Sequence, residues 1–359
     1  MFSLTARALN FILEIIDVDV ILAQAALIIE RFKTPDFYIE VLHLFSTPGW
    51  WQLLVCFFAS SALMIYSLNA IEKNGFEGTV IGTLIMPYFS GFPNLCFAFL
   101  MAKKGSNGAV VLENCLVNNV TTLTLVLAIP SMLWGLNLFK GKKLGVNDMR
   151  VNRLSLLLSL LALAFFGAAV FAVSRDGNIN AGDGMLLVGI FLFWQLYHLF
   201  DVLKNKTREK IKIRKRIWLD LIIISICAWG IFSSIDHLAQ LVSSRSTGIF
   251  SKTHLGLLSG ILMVVPNAFL ALYYSAVNRS DIAYSSQIGD CHICIPLCIG
   301  IFAIFSTITV YPAMQMTIYI LIGAAAIHLM FMAVSGKLPR LAGLFLTGLY
   351  AFFLYKNSL

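Results

Sequence analysis

The sequence predicts an all-α integral membrane protein of ten transmembrane helices, arranged as two inverted repeats of five helices. Of its 359 residues, 59% are hydrophobic and 12% are charged, whereas soluble domains are roughly half apolar and about a quarter charged. Ten apolar stretches are long enough to cross a bilayer, and a basic stretch divides them into two groups of five. Each group also carries a Pro-Asn pair inside its second stretch.

Residues 1–48 differ from the rest of the chain because acidic side chains interrupt their apolar pattern. Glu14, Asp17, Asp19 and Glu30 lie within LNFILEIIDVDVILAQAALIIERF. We predict an amphipathic helix at the membrane interface for this segment, with an eleventh span as the alternative. We expect no cleavable signal peptide, because no short basic region precedes an uninterrupted apolar core and a cleavage site.

The ten spans follow from the length of the apolar stretches, since a helix needs roughly 20 residues to cross the hydrocarbon core. The first repeat is predicted over residues 49–204, with spans at 49–71, 78–102, 109–136, 153–174 and 183–204. The second repeat is predicted over residues 217–359, with spans at 217–242, 253–277, 281–309, 313–335 and 339–355.

A basic linker over residues 205–216 separates the two repeats. The stretch from Lys204 to Arg216 reads KNKTREKIKIRKR. Alternating the loops between the two sides puts most lysines and arginines on the side of this linker, which the positive-inside rule makes cytoplasmic. We expect Lys204–Arg216 to orient the chain and contact anionic lipids, with a regulatory binding site as the alternative. The net charge of +8 therefore requires no nucleic-acid partner.

Two Pro-Asn pairs, Pro93-Asn94 and Pro266-Asn267, occupy the second span of each repeat. An odd number of spans means that a duplicated second half enters the membrane in the opposite orientation. Proline removes a backbone donor, and an interrupted helix persists at membrane depth only where it lines a cavity or contacts protein. The matched pairs predict broken helices at the centre of a cation site. Interhelical hydrogen bonding by the two asparagines is the alternative.

Two stretches of the chain resemble a known transporter superfamily. Residues 74–95 read NGFEGTVIGTLIMPYFSGFPNL and resemble the first alpha-repeat of the calcium:cation antiporters, which include sodium/calcium exchangers. Residues 278–300 read NRSDIAYSSQIGDCHICIPLCIG and resemble a segment of the second repeat. The matching positions are Gly75, Val80, Ile81, Gly82, Pro93, Leu95, Asp281, Ile282, Ala283, Ile288, Gly289 and Ile293.

The resemblance implies a sodium/calcium exchanger-like fold with a cation site at mid-membrane, between the second and third helices of each half. The two glutamates that bind the cation in that superfamily are replaced here by Asn94 and Asn267. By position, its other ligands correspond to Ser90, Val117 and Thr121 in the first half, and to Asp290, Cys294 and either Met263 or a neighbouring residue in the second.

The negative charge that a divalent cation needs is therefore predicted to come from other acids. Glu113 and Asp290 both lie in the third span of their half, and an intramembrane carboxylate is a functional candidate by default. A water-facing position near the start of its helix is the alternative for Glu113. The predicted cation ligands are Asn94, Asn267, Glu113, Asp290, Ser90 and Thr121.

A second cluster overlaps this site in the stretch CHICIPLC. Cys291, Cys294 and Cys298 share one helix face beside His292 and Asp290. Thiolate and imidazole ligands would suit a softer ion such as Zn²⁺ or Cu⁺. Simple packing of small apolar cysteines between helices is the alternative.

The function implied by the resemblance is secondary active antiport, with Ca²⁺ exchanged for Na⁺ or H⁺ by alternating access. The sequence has no nucleotide-binding glycine loop and no H-E-x-x-H motif, so we expect neither enzyme activity nor a cofactor beyond the transported ions. The alternatives are the same fold with a changed substrate, and a degenerate exchanger fold that serves as a scaffold or regulator. The expected partners are the transported cations and the bilayer.

Overall fold

The regular secondary structure in the residues that the computed structural model describes is helical, apart from four two-residue strands. The described residues are 49–71, 88, 91–138, 146–205, 216–244 and 251–358. The first six helices are α1 (Trp50–Ile71), α2 (Phe92–Lys103), α3 (Gly108–Thr121), α4 (Ala128–Trp134), α5 (Val146–Val173) and α6 (Ala181–Asn205). The next six are α7 (Arg216–Ser243), α8 (Leu255–Ala276), α9 (Ser280–His292), α10 (Ile299–Phe305), α11 (Met314–Ser335) and α12 (Arg340–Ser358). A 3₁₀ turn, Lys252–His254, precedes α8.

Seven helical stretches in the described ranges are long and apolar enough to cross a membrane. They are Trp50–Ser67, Gly108–Trp134, Arg153–Val173, Leu219–Ser243, Lys252–Ala276, Ser280–Phe305 and Met314–Ser335. Phe92–Lys103 and Ala181–Tyr197 are shorter apolar helices. The chain is therefore a multi-pass integral membrane protein. The predicted interfacial helix in residues 1–48 and most of the basic linker lie outside the described residues.

The predicted third and eighth spans each contain a π-helical segment. Thr122–Val126 lies between α3 and α4, and Ile293–Cys298 lies between α9 and α10. In the first segment Leu127 N donates to Thr122 O, five residues earlier, at 3.1 Å. The second contains Pro296, which has no N–H to donate. A shift that places Asn94 on Asn267 makes the two segments overlap, and such local widenings of a helix are frequent at functional sites.

The Pro-Asn pair of the second half does not interrupt its helix as the sequence predicts. Pro93 lies in the first turn of α2, where a missing N–H leaves no helical bond unmade. Pro266 lies inside α8, which continues from Leu255 to Ala276. The prediction of a broken helix is therefore wrong at Pro266. Proline removes one helical hydrogen bond, and α8 is held along its length by packing on α3 and α9.

Two short antiparallel ribbons link the two halves of the chain. Strand β1 (Leu136–Asn137) pairs with β4 (Lys337–Leu338), and β2 (Asn178–Ile179) pairs with β3 (Ile308–Thr309). In each ribbon, the loop after the third predicted span of one half meets the loop before the fifth predicted span of the other half.

Helix packing follows the same reciprocal pattern as the ribbons. Helix α1 packs on α7, and α5 packs on α11. Helix α6 packs on α10, while α12 packs on α4. Between these outer pairs, α2, α3, α8 and α9 surround the centre of the molecule, where both Pro-Asn pairs lie.

Candidate functional site

Helices α2, α3, α8 and α9 bring buried amides and a carboxylate together at the centre of the molecule. Asn94, Asn118, Asn267 and Asp290 each expose 1% or less of their surface. We call these four residues, together with Asn119 and Gln287, the central cluster. Polar side chains at such depth are costly unless they are paired or bind a ligand.

Asp290 is the acid of the central cluster. Asn267 Nδ2 donates to Asp290 Oδ2 at 3.1 Å. The other carboxylate oxygen, Oδ1, is buried and has no hydrogen-bond partner among the described residues. The ion pairs found in those ranges, Lys104–Asp236 and Arg279–Asp281, do not involve Asp290. The carboxylate therefore has one oxygen bound by an amide and one oxygen without a hydrogen-bond donor among the described residues.

The start of α2 lies against Oδ1 of Asp290. Gly91 is the N-cap residue of α2, and a Cβ added to it would lie 3.0 Å from Asp290 Oδ1 and 2.9 Å from Ile293 Cγ2. Glycine is required for this approach, because any side chain would displace one of these neighbours. The first turn of a helix carries partial positive charge, and α2 presents that end to Asp290.

Asn94 connects the first half of the chain to the second through Asn118. Asn118 Nδ2 donates to Asn94 Oδ1 at 3.3 Å. The thiol of Cys294 donates to Asn118 Oδ1, with the two atoms 3.6 Å apart. Asn94 therefore makes the interhelical hydrogen bond that is the alternative role predicted for the asparagines. Its side-chain nitrogen is buried and remains without an acceptor among the described residues.

Two further side-chain amides, those of Asn119 and Gln287, have oxygens that accept no hydrogen bond among the described residues. Asn119 Nδ2 donates to the carbonyl of Cys291 at 3.0 Å, and Gln287 Nε2 donates to the carbonyl of Asn267 at 3.1 Å. The side-chain oxygens of Asn119 and Gln287, like Asp290 Oδ1, accept no hydrogen bond within the described residues. Each unmade bond costs about 1–3 kcal/mol. Buried carboxylate and amide oxygens without donors are candidate ligands for a cation.

Sequence reasoning missed Asn118, Asn119 and Gln287. A usable signal was present, because ENCLVNNV places Asn114 and Asn118 four residues apart in an apolar span, on one helix face. Gln287 precedes Asp290 by three residues and so shares its face of α9. These amides carry no charge, so they stand out less in an apolar stretch than a carboxylate does.

Thr121 and Ser90 complete the predicted first-half ligands. Thr121 is 2% exposed, and its hydroxyl donates to the Tyr350 hydroxyl of α12 at 3.3 Å. The structure therefore places Thr121 in a contact between α3 and α12. Ser90 lies outside the described residues.

Glu113 lies apart from the central cluster. Its carboxylate rests against Gly256 in the first turn of α8, where the helix dipole stabilises a negative charge. Glu113 is half-buried and lines a cavity of about 540 Å³ together with Lys252, Thr253 and Tyr311. Asp290 does not line this cavity. The structure thus places Glu113 against the start of α8 and in a cavity that Asp290 does not line.

The cysteine-rich stretch does not form a soft-metal site. Within the described ranges, no three or more His, Cys, Asp or Glu side chains are arranged to hold a metal ion. The His292 ring contacts α5 and α6, because Nε2 donates to Ser159 O at 2.9 Å and Nδ1 accepts from Trp194 Nε1 at 3.3 Å. Its imidazole is engaged by these two helices rather than by the neighbouring cysteines.

Comparison with known proteins agrees with this architecture. The family model described as sodium/calcium exchanger protein matches residues 49–200 and 217–358. The sodium-calcium exchanger NCX_Mj soaked with 100 mM Na⁺ and 10 mM Sr²⁺ aligns with a TM-score of 0.61 and 16% identity, over 84% of this chain and 95% of that one. NCX_Mj soaked with 10 mM Na⁺ and 10 mM Sr²⁺ aligns over the same shares, with a TM-score of 0.60 and 17% identity. A sequence comparison with curated proteins found no significant match.

Proposed function

Because the chain belongs to the sodium/calcium exchanger family, within the calcium:cation antiporter superfamily, we propose that it is a secondary active cation antiporter working by alternating access. Family membership favours exchange of Ca²⁺ for Na⁺ or H⁺. The fold is similar to that of NCX_Mj, and seven helical stretches have the length and composition of membrane spans. The exchanger-like fold and the membrane-spanning helices both support a role in transport across a membrane.

We further propose that ten spans form two inverted repeats, 49–204 and 217–359, joined by the linker 205–216. The reciprocal ribbons and the overlapping π-helical segments support this symmetry, because each feature of one half recurs in the other. Transporters of this kind place their ion site where the two repeats meet. The position of the central cluster between α2 and α3 of the first half and α8 and α9 of the second supports this arrangement.

The proposed ion site is centred on Asp290, with Asn94 and Asn267 beside it. The observation that carries this proposal is Asp290 Oδ1, a fully buried carboxylate oxygen without a donor among the described residues. Ser90 is a proposed ligand from the family pattern. For Thr121 and Glu113, the contacts with Tyr350 and with the start of α8 favour structural roles.

Burial of Asp290 also explains how exchange would be coupled. Its carboxylate is 0% exposed, so an ion reaches it only after the helices around it rearrange to open one side. A single carboxylate neutralises one ion at a time, and each ion must leave before the next can bind. Occupancy by alternating ions, with opening to alternating sides, produces antiport.

A changed substrate is the second candidate function, and one observation favours it. Both family glutamates are asparagines here, and Glu113 does not share a cavity with Asp290. A site with one carboxylate is poorly matched to a divalent ion. The third alternative is that the protein no longer transports ions and serves as a scaffold or regulator. The same two asparagines at the family glutamate positions favour it.

The experiment that tests the proposal is ⁴⁵Ca²⁺ uptake into proteoliposomes, with outward Na⁺ and H⁺ gradients imposed separately. Uptake driven by either gradient would establish Ca²⁺ antiport and identify the counter-ion. Asp281→Asn is the matched control for Asp290→Asn, because Asp281 lies in the first turn of the same helix and pairs with Arg279 at 3.5 Å. Absence of Ca²⁺ uptake with both gradients, in folded protein, would reject Ca²⁺ as the substrate.

A further inference from the structure

The central cluster carries a single formal charge. Asp290 contributes that charge, and the other five members are the neutral amides of Asn94, Asn118, Asn119, Asn267 and Gln287. The ion pairs of the described ranges lie elsewhere. Cys294 donates its S–H to Asn118 and is therefore a neutral thiol. Glu113 lines a separate cavity.

The unused oxygens of the cluster are connected to Asp290 through its neighbours. Gln287 binds the backbone of Asn267, whose side chain binds Asp290 Oδ2. Asn119 binds the carbonyl of Cys291, the next residue after Asp290. Asp290 Oδ1, Asn119 Oδ1 and Gln287 Oε1 are all buried acceptors without donors in the described part of the chain. Carboxylate and amide oxygens are hard ligands, which suit alkali and alkaline-earth cations better than soft metals.

Charge balance separates these two classes of hard cation. A monovalent ion on Asp290 leaves the buried site neutral, whereas a divalent ion leaves a net positive charge in a region closed to water. An uncompensated buried charge is strongly unfavourable. The neutral amides solvate an ion through their dipoles but cannot replace the missing carboxylate.

We propose that the central cluster binds one monovalent alkali cation, with Na⁺ as the probe, and discriminates against Ca²⁺. This inference rests on the proposed cation antiport and narrows its substrate class at the central site. The asparagines at the two family glutamate positions, Asn94 and Asn267, set this selectivity because they remove negative charge from the site, while the unpartnered oxygens of Asp290, Asn119 and Gln287 remain as candidate ligands.

The direct test is equilibrium binding of ²²Na⁺ and ⁴⁵Ca²⁺ to the purified full chain in nanodiscs. We expect one bound Na⁺ per chain, loss of that binding in Asp290→Asn, and its retention in Asp281→Asn. We also expect Ca²⁺ to compete at least 100-fold less effectively than Na⁺. Stoichiometric Ca²⁺ binding that displaces Na⁺, or folded protein that binds no Na⁺, would overturn the inference.

Restoring charge provides the second test. Asn267→Asp is nearly isosteric and places a second carboxylate next to Asp290, so we expect it to gain Ca²⁺ binding and a Ca²⁺-dependent rise in Tm. Two adjacent carboxylates repel one another in the empty site, and this variant could fail to fold for that reason. Asn94→Asp adds the same charge beside Asn118 rather than beside Asp290, and it provides the second variant. Folded variants with unchanged Ca²⁺ affinity would refute charge as the cause of selectivity.

The two proposals fail differently. Na⁺ binding at Asp290 without ion-driven transport of any cation would overturn antiport and leave the monovalent site standing. Ca²⁺ uptake that depends on Asp290 would overturn monovalent selectivity and leave antiport standing.

Discussion

The side-chain amide of Asn267 donates to Asp290 Oδ2 at 3.1 Å, across the interface of α8 and α9. Both residues are buried. The resemblance to the superfamily aligns Asn267 with a cation-binding glutamate, whereas the carboxylate in this half belongs to Asp290, one helix further along the chain. The Asn267 amide holds one oxygen of that carboxylate.

Replacement of Asp290 by asparagine should abolish ion-gradient-driven transport and leave the fold intact. Two unit charges 4 Å apart attract by about 4 kcal/mol at an effective dielectric constant of about 20, which corresponds to roughly a thousandfold in affinity. The measurement is tracer flux into proteoliposomes, with Asp281→Asn as the control. Normal flux in Asp290→Asn would remove this residue from the site.

Replacement of Asn267 by alanine should weaken ion binding while leaving a functional carboxylate. A hydrogen bond to a charged group contributes about 1.5–3 kcal/mol, so the half-saturating ion concentration should rise by about 10- to 100-fold. The maximal flux should fall much less than in Asp290→Asn. An unchanged half-saturating concentration would show that the amide does not position Asp290.

Gly260→Ala should destabilise the protein by separating α3 from α8. A Cβ on Gly260 would lie 2.8 Å from the Asn114 carbonyl oxygen and from Val117 Cβ, and overpacking of this kind costs about 1–3 kcal/mol. Gly323→Ala in α11 is the matched control, because a Cβ there meets no atom within 4 Å. The measurement is thermal unfolding in detergent, in which the control should match or exceed the wild type. Equal melting of both variants would contradict the close contact of α3 with α8.

His328→Phe should destabilise the π-helical segment after α3. His328 Nε2 donates to Leu123 O at 2.8 Å inside that segment, and Nδ1 accepts from the Tyr284 hydroxyl at 3.0 Å. All three groups lie in the interior, and each partner left unsatisfied costs about 1–3 kcal/mol. We expect a lower Tm for His328→Phe and partial recovery in His328→Gln, which keeps a donor. A double variant with Tyr284→Phe should lose less than the sum of the two single changes.

The ion pair between Lys104 and Asp236 should contribute little to stability. It joins the turn after α2 to α7, and the side chains are 35% and 24% exposed. Exposed pairs typically contribute about 0.2–1 kcal/mol and weaken in salt. A double-mutant cycle of Lys104→Ala and Asp236→Ala, followed by thermal unfolding at two salt concentrations, should give a coupling in that range. A coupling well above about 1 kcal/mol would show that the pair holds α7 in place.

Much of the fold could be predicted because membrane insertion is encoded locally. Backbone polar groups have no water to bind in the hydrocarbon core, so an apolar stretch of sufficient length must form a helix. Seven of the predicted spans have such helices in the described ranges. Asp290 could be identified in the same way, since a carboxylate within an apolar stretch stands out.

Helix irregularities were predicted less well. Proline at Pro266 signalled an interruption, but packing on α3 and α9 keeps α8 continuous. The π-helical segment at Thr122–Val126 has no glycine or proline to signal it. Its widened turn is accompanied by a contact from a distant helix, through His328.

The sequence by itself determined the membrane class and the family, and it named Glu113 and Asp290 as the two candidate acids, because hydropathy, motif and charge within an apolar stretch are properties of single segments. Only the tertiary structure decided the neighbours of these acids. It placed Asn118 against Asn94, the start of α2 against Asp290 Oδ1, and Glu113 against the start of α8. The physical reason is that these contacts depend on which faces of distant helices pack together, and that choice is made by shape complementarity over the whole interior.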